Sequence, residues 1–138
     1  MGSGLRFISH VVSDVGHVRE HNEDDSLLME KEQIYVVADG MGGHSCGEVA
    51  SDIAVSSVKE FYSNPEITDD LETLYEELKR SEQDAGLSGF HEFRLRSAFE
   101  YGNLQIFRQA SSDPKLEDMG TTLVGFAFVG SRVYVGNV

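Results

Sequence analysis

The spacing of apolar residues along this 138-residue chain changes twice, from short runs to a helical period and back. Five short segments have the apolar, β-branched and aromatic composition typical of strands: 7–12, 26–29, 34–38, 122–129 and 132–138. Three longer segments carry apolar residues three or four positions apart, which predicts helices: 47–62, 67–78 and 91–110. The order strands, helices, strands favours an α+β fold over an alternating βαβ arrangement.

Proline and glycine mark the ends of several predicted elements. Asn64-Pro65 and Asp113-Pro114 end helices, because the residue before proline is pushed out of the helical region. Gly130-Ser131 has the length and composition of a two-residue hairpin turn. The last two strands are therefore predicted to be antiparallel neighbours.

Composition and charge narrow the class of protein. The chain has 24 acidic and 11 basic residues and a net charge of −13, which argues against nucleic acid or an anionic membrane as partner. Its length suggests a single domain at most. The single cysteine, Cys46, excludes an internal disulfide and fits a reducing, cytoplasmic location. No run approaches the ~18 apolar residues that a membrane helix needs.

The candidate chemistry begins where the predicted strand 34–38 meets Asp39. Glycines follow at positions 40, 42 and 43, and such glycines allow a sharp turn and a close approach of the backbone to a ligand. A carboxylate with neighbouring carbonyl oxygens provides the ligands that a hard divalent cation prefers. The alternative is a simple turn in which Asp39 caps the following helix.

Two further motifs accompany Asp39-Gly40. Arg19 stands four and five residues before the pair Glu23-Asp24, and Met-Gly-Thr-Thr occupies 119–122. Together, and in this order, the three motifs resemble the metal-dependent protein phosphatase family, type 2C, which includes bacterial serine/threonine phosphatases. The resemblance covers the chain from about Ser13 to its last residue.

The resemblance implies an architecture that periodicity alone does not show. It implies a four-layer α-β-β-α sandwich of two antiparallel sheets, with metals in a cleft at one edge. In the family, segments after this point supply two further metal-binding aspartates, and no carboxylate follows Asp118 here. Residues 1–138 are therefore expected to be the N-terminal portion of a single phosphatase domain, truncated on its C-terminal side.

The resemblance also implies roles for five residues in hydrolysis of phosphoserine or phosphothreonine by a water that two metal ions activate. Asp39 would bridge two Mn²⁺ or Mg²⁺ ions, Gly40 would add its carbonyl and Glu23 a second carboxylate. Asp24 would orient ligands from the outer coordination shell. Arg19 would bind the phosphate, since its planar fork of donors matches two oxygens.

Other interpretations remain open for these residues and for two of their neighbours. Glu23-Asp24 could be a solvated acidic turn and Arg19 a surface arginine. His44 could serve as a proton donor from the glycine loop, because the imidazole titrates near neutrality. Cys46 could be a reactive thiol at a helix start, or a small residue that fills the loop.

Two classes of function follow from the sequence. The first is a phosphoprotein phosphatase in signalling, acting on targets of a protein kinase. The second is a non-catalytic phosphatase-like fragment that acts as a binding or regulatory module. Because an unpaired last strand would expose free N–H and C=O groups, self-association or pairing with a C-terminal piece is also expected.

Overall fold

A computed structural model describes residues 7–42, 46–81, 86 and 88–138 of the chain. The helices are α1 (Cys46–Ser63), α2 (Pro65–Arg80) and α3 (Phe90–Ser112), followed by a short 3-10 turn at Pro114–Leu116. The strands are β1 (Asp24–Met29), β2 (Ile34–Met41), β3 (Gly120–Val129) and β4 (Arg132–Asn137). All four strands form one antiparallel sheet in the order β1-β2-β3-β4. The predicted α+β class is confirmed.

All three predicted helices and four of the five predicted strands are present, but the predicted strand over 7–12 is wrong. Residues 7–15 have no regular secondary structure, although the Phe7 ring stacks on Phe128 with 3.9 Å between ring centroids. Ile8 and Val12 are largely exposed to solvent. Apolar, β-branched composition satisfies no backbone hydrogen bonds unless a neighbouring strand is available, and among the described strands none pairs with this segment.

The expected boundary of the second strand also needs correction. β2 continues through Asp39 and Gly40 to Met41, because Gly40 and Met41 pair with Thr121 and Gly120 of β3. Asp39 therefore lies within a strand rather than at its end. The Asp-Gly sequence alone does not reveal the partner strand that keeps this segment extended.

The helices cover one face of the sheet. Along β2 the side chains of Ile34, Val36 and Ala38 are buried on this face, with α1 packed against it. α3 packs against α1, β3 and β4. Gly125 of β3 permits a close approach of α3, since an added Cβ would lie 3.1 Å from Cζ of Phe99. The hydrophobic core therefore lies between the sheet and this helical layer.

The opposite face of the sheet is apolar and largely open. Its exposed side chains come from all four strands: Leu28, Val37, Val124, Phe126, Val133 and Val135. Residues 7–11 pass over part of this face and, with the sheet, line a groove of about 430 Å³. An apolar sheet face is normally buried against a second layer. We refer to it below as the open sheet face.

One arginine contacts all three helices at the C-terminal end of α1. Arg94 of α3 donates from Nη2 to the Tyr62 carbonyl oxygen (3.5 Å) and to Thr68 Oγ1 of α2 (3.0 Å). Its guanidinium also lies over the Tyr62 ring, 4.3 Å from the ring centroid. A cation at the last carbonyls of α1 is favoured by the helix dipole. The contact fixes the three helices relative to one another.

The buried hydroxyl of Tyr62 makes the folded chain less stable at alkaline pH. Burial raises the pKa of the Tyr62 hydroxyl from 10.0 to about 12, and Arg94 opposes this only in part. Below pH 10 the hydroxyl is neutral in both folded and unfolded chains; above pH 10 it ionises first in the unfolded chain. We therefore expect roughly 2–3 kcal/mol of stability to be lost between pH 10 and 12. Urea unfolding across this range should show a clearly smaller loss of stability in Tyr62→Phe than in wild type; equal pH slopes would contradict the assignment.

Candidate metal and phosphate site

Two carboxylates face each other across neighbouring strands. In the β1–β2 ladder Asp24 is the direct partner of Asp39, and both are exposed. Alternation along the strands places both on the open sheet face, away from the helices. Direct cross-strand partners have Cβ atoms about 5 Å apart, and like charges at that spacing repel. A cation between them would remove this repulsion.

Glu23 and Gly40 are joined through the backbone beside this pair. The Gly40 N–H donates to the Glu23 carbonyl oxygen at 3.0 Å, just before β1 begins. Gly40 is buried, and its backbone contacts α1 so closely that an added Cβ would lie 2.1 Å from the carbonyl oxygen of Gly47. Only glycine fits at this position. The close packing determines where the Gly40 carbonyl and the Glu23 chain lie.

Arg19 reaches the same end of the sheet from the preceding turn. Its Nη1 lies 3.7 Å from Glu23 Oε2, while the Arg19 side chain remains 67% exposed and that of Glu23 is 18% exposed. Such an exposed ion pair contributes little to stability. Because the Arg19 side chain is mostly exposed, its guanidinium is accessible to a ligand from solvent. All five residues singled out from sequence thus lie in one neighbourhood.

Asn22 also shapes this neighbourhood and was missed by the sequence analysis. Its Oδ1 accepts from the Asp24 N–H at 3.1 Å, and its Nδ2 donates to Ser13 Oγ at 2.7 Å. An asparagine that bonds the backbone two residues ahead forms a local turn, and this spacing could have been recognised in the sequence. Thr122, opposite Asp39 in β3, donates from Oγ1 to the Asp39 carbonyl oxygen at 3.5 Å.

The donor chemistry fits a hard divalent cation, but the described residues make only part of a site. Glu23, Asp24, Asp39 and the Gly40 carbonyl supply oxygen donors, as Mn²⁺ and Mg²⁺ require. Within residues 7–42, 46–81, 86 and 88–138, however, no three or more His, Cys, Asp or Glu side chains are grouped closely enough to hold an ion. A complete site would need further donors.

The two other candidates in the glycine loop have different outcomes. His44 lies outside the described residues. Cys46 is buried at the start of α1 and packs with Ala50 and Met119, and its Sγ donates to the Lys115 carbonyl oxygen at 3.2 Å. This environment favours the interpretation of Cys46 as a small packing residue.

A known protein family matches most of the chain. The family model described as Protein phosphatase 2C matches residues 16–138, which include all five candidate residues. The chain belongs to the protein phosphatase 2C family. The match begins at Gly16, after the segment 7–15 that lacks regular structure.

Curated members of the family with similar sequences are named serine/threonine phosphatases. The Stp phosphatase of Listeria welshimeri is 36% identical over 129 residues, covering 91% of this chain and 44% of Stp. PstP of Mycobacterium tuberculosis is 34% identical over 128 residues, covering 91% of this chain and 20% of PstP. The chain thus spans less than half the length of these relatives.

Solved structures show the same fold in this family. The crystal structure of Mycobacterium tuberculosis PstP superposes with a TM-score of 0.69 at 30% identity, covering 92% of this chain and 44% of that one. A second structure, of the PstP catalytic domain in complex with two manganese ions, has the same TM-score and identity and covers 92% and 45% of the two chains.

The repulsion between Asp24 and Asp39 generates a stability prediction. In chelator and at low salt, Asp24→Asn should stabilise the chain by about 0.5 kcal/mol, because it removes one of two facing charges. The exposed Glu72→Gln on α2 changes net charge equally and serves as control, with no comparable gain expected. Urea denaturation should show that adding Asp39→Asn to Asp24→Asn gains less than Asp39→Asn alone. Additive effects would contradict repulsion between the two carboxylates.

Proposed function

We propose that residues 1–138 are the N-terminal portion of a type 2C phosphatase domain that hydrolyses phosphoserine and phosphothreonine in proteins. The observation that carries the proposal is the facing pair Asp24 and Asp39 beside Glu23 and Gly40. Family membership and the names of the relatives support it. Because the chain spans about 44% of Stp, the activity belongs to the complete domain.

We further propose that the site holds Mn²⁺ or Mg²⁺, with two ions in the complete domain. The two manganese ions in the PstP catalytic domain support this choice. Asp39 would bridge the ions, Glu23 and the Gly40 carbonyl would bind one of them, and Asp24 would orient ligands from the outer shell. When bound, such ions supply a water of lowered pKa for attack on phosphorus.

Arg19 would position the substrate in this mechanism. Its exposed guanidinium offers two parallel N–H donors to two phosphate oxygens, which a lysine ammonium does not match. Hydrolysis adds a water oxygen to phosphorus and breaks the bond to the serine or threonine oxygen, which leaves with a proton. Asp24 is the first residue of β1 and Asp39 lies near the end of β2, so a phosphoprotein can approach them from this end of the sheet without displacing a helix.

The open sheet face supports the domain assignment. Its apolar side chains, among them Val37, Val124 and Val135, form a continuous surface of the kind that a second sheet buries in a sandwich. The second sheet of the four-layer arrangement would pack there and would bring the remaining metal donors to Asp39.

None of the helices in the described part of the chain is long and apolar enough to cross a membrane.

The proposed setting is signalling in the cytoplasm, with the target of a protein kinase as substrate. The single cysteine fits that compartment. The incomplete set of metal donors among the described residues favours a second candidate, a non-catalytic binding or regulatory module. The two candidates differ in whether the complete domain turns over a phosphate ester.

Substitutions in the complete domain should test catalysis and substrate binding separately. We expect p-nitrophenyl phosphate hydrolysis to require Mn²⁺ or Mg²⁺, and Asp39→Asn to lower kcat/KM by at least ~100-fold through loss of the bridging carboxylate. Full activity of Asp39→Asn, or turnover in excess chelator, would refute the metal assignment.

Arg19→Ala in the complete domain should raise KM with nearly unchanged Mn²⁺ affinity, because Arg19 contacts substrate rather than metal.

Residues 1–138 on their own should be essentially inactive and should bind metal weakly. Too few donors surround Asp39 among the described residues, and the open sheet face and the edge of β4 invite pairing with another chain. Size-exclusion chromatography with light scattering should show self-association, and a phosphatase assay with Mn²⁺ should show no turnover. A stable monomer with metal-dependent turnover would contradict this expectation.

A further inference from the structure

The first turn of α1 contacts the site at Gly47, a residue with no assigned role. An added Cβ on Gly47 would lie 2.8 Å from both Cδ and Oε1 of Glu23 and 2.9 Å from the carbonyl carbon of Gly40. Such distances are far shorter than van der Waals contact. Gly47 is buried, so a methyl group could not turn toward solvent. The Glu23 carboxylate therefore occupies space that any other residue at position 47 would fill.

The neighbours of Gly47 differ in how easily they can move. Oε1 and Cδ are the far end of a flexible side chain, and Glu23 is 18% exposed, so its carboxylate can swing away at modest cost. The Gly40 carbonyl carbon belongs to the backbone of a paired strand and can move much less. A methyl group at position 47 would thus displace the carboxylate first. Its main effect should be on geometry rather than on folding.

We propose that Gly47 is a positioning residue for the metal site. Gly47 supplies no ligand atom to the metal. Because it has no side chain, the Glu23 carboxylate can lie beside the Gly40 carbonyl. The expected effect on metal affinity rests on the proposed function. The displacement of Glu23 itself does not depend on that function.

Gly102 in α3 provides a matched control. Both glycines lie in helices and neither has a positive φ, but an added Cβ on Gly102 would meet its nearest atoms at 3.7–3.8 Å, an ordinary contact. Alanine is favoured over glycine within helices. Gly102→Ala should therefore raise Tm and leave Mn²⁺ binding unchanged. The same substitution at Gly47 should weaken Mn²⁺ binding.

The experiment compares wild type, Gly47→Ala and Gly102→Ala in the 138-residue chain. The readouts are the ¹³C signal of the Glu23 carboxyl, hydrogen exchange of the Gly40 amide, and Mn²⁺ affinity from paramagnetic broadening. In Gly47→Ala we expect a shifted Glu23 signal, little change in Gly40 exchange and at least tenfold weaker Mn²⁺ binding. An unmoved Glu23 signal, or a Glu23 shift with Mn²⁺ affinity equal to wild type, would overturn the proposal.

Two further outcomes separate this inference from the proposed function and from a folding defect. If wild type binds no Mn²⁺ while Gly47→Ala still moves Glu23, the positioning of Glu23 stands and the proposed metal site fails. If Gly47→Ala unfolds the chain, Glu23→Asp is added, since the shorter side chain leaves room for the methyl group. Recovery of the fold would support the contact with Glu23; continued unfolding would place the clash on Gly40 and overturn the proposal.

Discussion

The register of β2 between its two neighbours is the constraint on which the rest of the molecule depends. Ile34, Val36 and Ala38 must face the helices to be buried, and a shift by one residue would turn them to the other side of the sheet. The same register sets Asp39 opposite Asp24 on one side and opposite Thr122 on the other. The position of the carboxylates is thus a consequence of core packing rather than of any interaction between them.

Close backbone contact is the second condition for this arrangement. At Gly40 the sheet approaches the backbone of α1 at a distance that no side chain would permit, and an added Cβ on Gly125 would be crowded by Val36 of β2 and Phe99 of α3. A site built on such contacts has little freedom to adjust, because strands and helix must move together. This rigidity suits ligands whose geometry has to be reproduced within tenths of an ångström.

The sequence predicts most of the secondary structure because periodicity reports burial on one face. The apolar spacing in α1 and α3 and the turn residues Gly130-Ser131 are local signals, and the structure agrees with them. The strand predicted over 7–12 failed because pairing depends on a partner that composition does not reveal. The sequence places Asp39 at the end of a strand rather than within one for the same reason. The motif alone identified the five candidate residues, whereas the steric role of Gly47 requires the three-dimensional contact.

The connection between the two central strands has a consequence for the order of folding. β1 and β2 are joined by the four-residue turn 30–33, so the Asp24–Asp39 pairing is local in sequence. β2 and β3 are adjacent in space, but residues 42–119, which contain all three helices, separate them. Closing so long a loop has an entropic cost that a few backbone hydrogen bonds do not offset. The β1–β2 hairpin and the helices can therefore assemble first. β3, with β4 paired to it, joins β2 once the helices have brought the two ends of the 42–119 segment together.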